Sequence, residues 1–168
     1  MGDVAMIVPS IRCLKKSYPD LKITIVSNKI FQPFFSEFKN VSFFSTDFKA
    51  EHKGLKGLIR LFNNLVDLNP THIADLHSVL RTHFLRFLFR IRFYNVKKLN
   101  KLRADKKKLF RKKNKVLKPL TPTQYRYSEV FCKLGFNIDL TTHEFPLTKP
   151  LSEDSKSFVS LIDSRKKH

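Results

Sequence analysis

The sequence is short of cysteine and glycine and has no tryptophan, and these shortages exclude several classes of protein. Only Cys13 and Cys132 occur, each within an apolar helical pattern, so we predict core positions for both and neither a disulfide framework nor a zinc site. Four glycines leave no GxGxxG or GxxxxGK[ST] loop to cradle a phosphate. We therefore expect no nucleotide-binding loop and no metal site in these residues.

Long apolar runs are absent as well. No segment approaches the roughly 20 apolar residues that span a bilayer, and the first residues lack the basic and apolar regions of a signal peptide. We predict a cytoplasmic location with reduced cysteines. The 168 residues are 42% hydrophobic, with 17 phenylalanines, and suffice for one domain that folds around its own core.

Basic residues are abundant: 33 Lys and Arg against 14 Asp and Glu give a net charge of +19. Residues 86–118 form a basic segment with 15 Lys or Arg and the single acid Asp105. Such a field attracts nucleic acid, anionic lipid head groups or acidic sugars, and charge does not choose among them. A solvated lysine-rich loop is the alternative interpretation. No RNP1, helix-turn-helix or zinc-finger sequence is present, so we predict no specific nucleic-acid binding.

Strand-like and helix-like patterns alternate along most of the chain. This alternation is typical of βαβ units and predicts an α/β, Rossmann-like fold whose parallel sheet is covered on both faces. The predicted strands are 21–26, 41–45, 71–76 and 92–96, and the predicted helices are 4–18, 31–38, 55–66, 79–88, 102–110, 123–134 and 151–162.

Two of these helices have apolar residues that we expect to face the core. They are Leu55, Leu58, Ile59, Phe62, Leu65 and Val66 in the first, and Val79, Leu80, Phe84, Phe87 and Leu88 in the second.

The first predicted helix has no strand before it, whereas in doubly wound folds the first helix follows a central strand. We therefore expect about ten residues of apolar strand upstream of Met1. An unusual strand order is the alternative.

Candidate functional residues follow two strand positions. Asp3 lies where a strand would turn into the first helix, and His77 and Ser78 follow the strand at 71–76. Ligands of α/β folds bind at this rim of the sheet. Asp3 and Ser78 could instead cap helices, and His77 could be structural. Arg81 could bind an anion at the rim or be solvated.

Three segments resemble glycosyltransferase family 9, which includes the ADP-heptose:lipopolysaccharide heptosyltransferases. They are Gly2-Asp3-Val4-Ala5-Met6-Ile7-Val8-Pro9-Ser10-Ile11-Arg12 with the following residues 15–20, Asp75-Leu76-His77-Ser78-Val79-Leu80-Arg81-Thr82, and the helix from Tyr125 to Gly135. The second is similar to the family's DLHG-x-x-RS pattern and the third to its H-x-x-E/D-x-x-x-x-x-LG helix. Position 125 is Tyr where the family often has His.

The resemblance implies a two-domain GT-B enzyme that transfers a heptose from ADP-heptose to a lipopolysaccharide core acceptor with inversion. The family's N-terminal domain binds the acceptor, and its C-terminal domain binds the nucleotide sugar. The aspartate of its GD motif is the general base, here Asp3. The implied acceptor-binding residues are Gly2, His77, Ser78, Arg81, Arg103 and Lys106.

The same resemblance implies that residues 1–136 are the acceptor-side domain without its first strand, and that residues 137–168 lead toward a missing donor-binding domain. We then expect a monomer that is inactive alone and holds no cofactor, since ADP-heptose would bind the missing domain. Its partners would be an acidic lipopolysaccharide-type acceptor and, peripherally, the inner membrane surface. The alternative function is a nonenzymatic basic protein that binds nucleic acid or an anionic membrane.

Overall fold

The computed structural model describes residues 2–112 and 117–142, which form an α/β fold with parallel strand pairs. The helix predicted at 151–162 lies outside the described residues. In chain order the elements are α1 (Gly2–Ala5), α2 (Val8–Ser17), β1 (Ile23–Ser27), a 3-10 helix (Lys29–Phe35), β2 (Val41–Ser45), α3 (Gly54–Val66), β3 (His72–Asp75), α4 (Leu80–Ile91), β4 (Asn95–Lys98), α5 (Arg103–Leu109), α6 (Thr123–Lys133) and a short 3-10 turn (Leu140–Thr142).

The single helix predicted at 4–18 is observed as two helices, α1 and α2, with a turn at residues 6–7 between them. Pro9 explains the interruption, because its nitrogen carries no hydrogen to donate to the carbonyl of Ala5 and its ring would clash with that carbonyl. At the start of α2 the same residue is tolerated, since the first N–H groups of a helix have no partner within it.

The strands form two separate parallel pairs. Ile23 of β1 lies opposite Val41 of β2, and His72 of β3 lies opposite Asn95 of β4. Parallel pairing is as predicted. Among residues 2–112 and 117–142, no strand hydrogen-bonds one pair to the other.

One hydrophobic core holds both strand pairs. Side chains from β1, β3 and α6 converge on α2, so helices join the two pairs where backbone hydrogen bonds do not. The buried members of this cluster are Ile11, Leu14, Phe35 and Phe131, and the strand residues packed against it include Ile23, Ile25 and Ala74.

Helices α3 and α4 pack against each other, and this packing corrects part of the predicted α3 face. The rings of Phe62 and Phe89 meet edge to face with their centroids 4.7 Å apart. Leu61, which the prediction omitted, is fully buried, whereas Leu55 and Ile59 are exposed. The prediction was shifted because α3 carries apolar residues around much of its circumference, so several faces fit the spacing.

Helix α4 shows the same ambiguity more strongly. Its buried side carries Arg86 and Phe89, whereas Leu80 and Phe87, which we predicted to face inward, are exposed. Leucine and phenylalanine occur on opposite sides of this helix, so periodicity did not identify the packed side.

The third and fourth strands also differ from the prediction in detail. The strand at 71–76, whose apolar residues predicted burial, is observed as β3 at His72–Asp75, where His72 is exposed and only Asp75 is buried. β4 begins at Asn95 instead of near residue 92, because Phe93 has a left-handed backbone conformation with φ 61° and ends the turn after α4.

Helix α6 agrees closely with its prediction. Gly135 follows it at φ 96°, a conformation that glycine adopts without a side-chain clash. Residues just beyond 136 still contact the domain, as the Asn137 amide donates to the hydroxyl of Tyr18 at 3.1 Å. Of the two cysteines, Cys13 is buried as predicted, but Cys132 is exposed on α6 and donates to an asparagine oxygen, so its predicted core position is wrong.

Candidate functional site

The turn after β3 is organised by the buried carboxylate of Asp75. One of its oxygens, Oδ1, accepts hydrogen bonds from the amides of Ser78 at 2.8 Å and His77 at 3.2 Å. Ser78 has a φ of 48°, a left-handed conformation that is unfavourable for a residue with a Cβ atom. The two hydrogen bonds to Asp75 therefore hold the His77–Ser78 turn in a conformation that it would not favour alone.

The other oxygen of Asp75 faces Arg86 of α4. Arg86 Nε lies 3.2 Å from Asp75 Oδ2, and the two side chains are only 9% and 5% exposed. A buried charge is stable only when it is paired and hydrogen-bonded. Arg86 thus anchors the carboxylate that shapes the turn.

Sequence reasoning missed the Asp75–Arg86 pair. Arg86 is three residues before Phe89, so the two share one helix face. An arginine on an otherwise apolar face, a short distance after an aspartate that ends a strand, is the signal that could have identified the pair.

Ser78 is buried, and its hydroxyl lies 3.5 Å from Nε2 of His83. It does not cap α4, because Val79 occupies the N-cap position and the hydroxyl of Thr82 both accepts from the Val79 amide and donates to the Val79 carbonyl. The alternative interpretation of Ser78 as a helix cap is therefore wrong, and its side chain is directed elsewhere.

A basic cleft opens next to Ser78. Its volume is about 580 Å³, and its walls come from the turn after β3, from β4 with the residues after it, and from α4, α5 and α6. Ser78 and His83 line one part of it. The cationic lining residues are Arg90, Lys97, Lys98, Lys101, Arg103 and Lys133.

The charged residues that line the basic cleft are all positive. None of its lining residues is acidic. Lys133 is neutralised in part by Glu129, with Nζ and Oε1 2.5 Å apart. Several lysine and arginine side chains around one concave space favour a ligand with several negative charges.

The predicted acceptor-binding residues are distributed unequally around the basic cleft. Ser78 and Arg103 line it, but Lys106 does not. His77 and Arg81 are exposed beside it, and the Arg81 guanidinium stacks on the ring of Phe48 with 4.4 Å between carbon Cζ and the ring centroid. The structure therefore brings two of the six predicted acceptor-binding residues into one cavity and adds His83 and five cations that the prediction omitted.

Asp3 lies in the first turn of α1 and is exposed. It is inside the helix and not at an N-cap position. Its carboxylate has no hydrogen bond or ion pair with any side chain of residues 2–112 and 117–142. The backbone carbonyl of Asp3 accepts a hydrogen bond from the Tyr127 hydroxyl at 3.2 Å. Gly2 beside it is exposed, with no atom near the position a Cβ would take.

Tyr127 of α6 is a neighbour of Asp3 whose pKa the Asp3 charge affects. Burial of the phenol raises the pKa of Tyr127 above its ordinary value, and the negative charge of Asp3 raises it further. Ile7 packs against the same cluster as Tyr127 and Leu76, so the turn between α1 and α2 and the turn after β3 are fixed to common core residues. Asp3 itself does not line the basic cleft.

No group of three or more His, Cys, Asp and Glu side chains in the part of the chain that the structure describes is arranged to hold a metal ion. Within the same residues, every helix is too short or too polar to cross a lipid bilayer.

The fold is similar to a solved structure. A glycosyl transferase family 9 protein from Veillonella parvula DSM 2008 matches with a TM-score of 0.64 and 21% sequence identity, and the match covers 95% of this chain and 46% of that one. This chain thus spans about half the length of that protein and shares its fold there, a Rossmann-like α/β arrangement. No protein-family model matches the sequence, and no curated protein matches it.

Proposed function

We propose that the chain is the acceptor-binding half of a family 9 glycosyltransferase of the heptosyltransferase type. The observation that carries the proposal is the fold similarity, which extends over 95% of the chain to one half of a family 9 protein. The three segments at residues 2–20, 75–82 and 125–135 that resemble the family in sequence support it. The reaction would transfer heptose from ADP-heptose, bound by a separate donor domain, to a lipopolysaccharide core acceptor.

In this proposal the basic cleft binds the negatively charged part of the acceptor, and the reacting hydroxyl extends out of the cleft to Asp3, which does not line it. An inner-core acceptor on phosphorylated lipid A carries several negative charges, and the cleft offers six cations and no acid. The buried hydroxyl of Ser78 lies at the cleft wall, where it can donate to or accept from a sugar hydroxyl. The basic segment at 86–118 would also draw the protein toward an anionic membrane surface.

Asp3 is the general base of the proposed reaction. Inversion requires a group that removes the proton from the attacking hydroxyl on the side opposite the departing nucleotide. The Asp3 carboxylate is exposed and makes no hydrogen bond with the described side chains, so its oxygens are available to accept that proton. Tyr127 positions the residue by donating to its backbone carbonyl and leaves the carboxylate accessible.

Acceptor binding is tested by titrating the chain with deacylated, phosphorylated lipid A that carries its acidic inner-core sugars. We expect binding that weakens with salt and that drops roughly tenfold or more in the variant Lys98→Gln, Lys101→Gln, Arg103→Gln. The control variant Lys29→Gln, Lys39→Gln, Lys56→Gln removes the same charge outside the cleft. Equal losses in both variants, or equal binding of any RNA or DNA, would favour the nonenzymatic alternative.

Catalysis is tested in a chain that carries a donor-binding domain after these residues. With ADP-heptose and the acceptor as substrates, Asp3→Asn should lower transfer by about 10²-fold or more, since general base catalysis contributes on that order. Acceptor binding should be unchanged. Transfer that persists in Asp3→Asn would remove Asp3 from the mechanism.

A further inference from the structure

Helix α4 has apolar residues on the side opposite its packed face. At about 100° per residue, Leu80, Phe87 and Ile91 fall within about 40° of one another, and Phe89 lies about 180° from their centre. Phe89 is buried, whereas Leu80, Phe87 and Ile91 are 85%, 60% and 58% exposed. We call these three outward side chains the α4 face.

Phe93 extends the exposed apolar surface at the end of α4. It is 96% exposed, and its left-handed φ of 61° is strained for an aromatic residue. Contiguous exposed apolar side chains often mark an interaction site. Residues 2–112 and 117–142 leave the α4 face uncovered.

The charges around the α4 face identify the kind of environment. Arg81 and Arg90 lie about 80–100° to either side of the face and are both exposed. No aspartate or glutamate occurs between Leu76 and Ala104. A second copy of the chain would oppose this basic surface with another of the same sign, since the net charge is +19. An anionic bilayer offers acyl chains to the apolar side chains and phosphates to the arginines.

We propose that the α4 face docks into the interface of an anionic lipid bilayer, with Leu80, Phe87 and Ile91 among the upper acyl chains and Arg90 at the phosphates. The proposed insertion of the α4 face goes beyond the electrostatic attraction of the basic segment to a membrane surface. The choice of a membrane as the partner rests on that proposed attraction. Because α4 also contributes Arg90 to the basic cleft, the docked helix would hold the cleft next to the lipid surface, where a lipid-linked acceptor is found.

Fluorescence tests insertion directly, because the chain has no tryptophan and one introduced residue is a unique reporter. The variant Phe87→Trp is mixed with vesicles of phosphatidylcholine and phosphatidylglycerol. We expect a blue shift of its emission and quenching by brominated acyl chains. The control Leu55→Trp, at an exposed apolar position of α3, should show neither.

Binding strength provides the second measurement. The triple variant Leu80→Gln, Phe87→Gln, Ile91→Gln should lose roughly tenfold or more in vesicle affinity. The control variant Ile30→Gln, Leu55→Gln, Leu68→Gln removes as many exposed apolar side chains elsewhere and should change affinity less than about threefold. Far-UV circular dichroism and thermal unfolding verify that both variants are folded.

Several outcomes would overturn the proposal. One is the absence of vesicle binding, and another is binding that vanishes entirely at about 1 M salt with no shift of the Phe87→Trp emission. Equal losses of vesicle affinity in the two triple variants would also overturn it. So would an emission shift that occurs without vesicles because the protein self-associates. Affinity for the soluble, deacylated acceptor should be unchanged in the α4-face variant. Failure of the docking proposal therefore leaves acceptor binding intact, whereas failure of the proposed function removes acceptor binding and leaves docking measurable.

Discussion

The buried pair of Asp75 and Arg86 offers the sharpest test of how the turn after β3 is held. The substitution Arg86→Met keeps most of the side-chain volume and removes the cation, which leaves the Asp75 carboxylate buried beside an apolar group. Both side chains are at most 9% exposed. Removing one partner of such a pair costs about 3–5 kcal/mol, since the remaining charge is neither hydrated nor paired.

The expected loss is large compared with the stability of a typical domain, which is about 5–15 kcal/mol. For a chain of this size each kcal/mol lowers the melting temperature by about 2–4 °C, so we expect a decrease of about 6–20 °C. Urea unfolding followed by circular dichroism measures the free energy directly. The control Arg90→Met removes a cation from an exposed position of the same helix and should change stability by less than about 0.5 kcal/mol.

A double-mutant cycle separates pairing from packing. Asp75→Asn retains an oxygen that can accept from the Ser78 amide but leaves the guanidinium of Arg86 without an anion. The loss of unfolding free energy in the double variant Asp75→Asn, Arg86→Met should be smaller than the summed losses of the two single variants by at least about 2 kcal/mol. The reason is that the double variant contains no unpaired buried charge. Additive effects, or an Arg86→Met loss no larger than that of Arg90→Met, would refute the pairing argument.

Two further predictions concern Tyr127 and Gly57. The pKa of Tyr127 is raised by burial and by Asp3, so the folded state holds the phenol proton more tightly than the unfolded state does. The resulting contribution to the free energy of unfolding is complete below about pH 10 and is lost as pH rises through the raised pKa. Tyr127→Phe should therefore lower the free energy of unfolding by about 1 kcal/mol near neutral pH and by less in alkali. Urea unfolding across that pH range measures the loss, and Tyr125→Phe is the exposed control. A loss that stays constant with pH would contradict this prediction. Gly57→Ala should destabilise the protein by about 1–3 kcal/mol by the same measurement, because its Cβ would lie 2.3 Å from the carbonyl carbon of His52. At an unhindered helical glycine the change would stabilise, so a gain in stability would show that the backbone near His52 can move.

The periodicity of the sequence was sufficient for the type and order of most elements. β2 was predicted with its observed limits, and α3, α5 and α6 within about two residues. α3 and α6 combine a clear apolar spacing with local end signals, such as the glycine after α6, whereas the lysine-rich sequence of α5 has only weak helical character. The break between α1 and α2 was also readable from Pro9, whose effect on a helix is local, although the prediction did not use it.

The apolar spacing of the sequence could not identify which side of α4 packs against the rest of the protein. Leu80 and Phe87 have the same hydrophobicity as residues on the buried side, and only contact with α3 places Phe89 inward. The consequence is functional, since the outward residues form the α4 face. Local pattern limits the faces that a helix can bury, and tertiary contacts select one of them.

The candidate site divides in the same way. The sequence by itself determined that the 75–78 segment lies at the end of a strand, that the charge is concentrated in residues 86–118, and that the chain alternates as an α/β protein does, because these properties depend on order and composition alone. Only the tertiary structure decided that Arg86 pairs with Asp75, that Arg103 joins Ser78 in the basic cleft while Lys106 does not, and that Tyr127 contacts Asp3. Those relations join residues that are up to 124 positions apart, and the distances between such residues are set by packing, which no local pattern encodes.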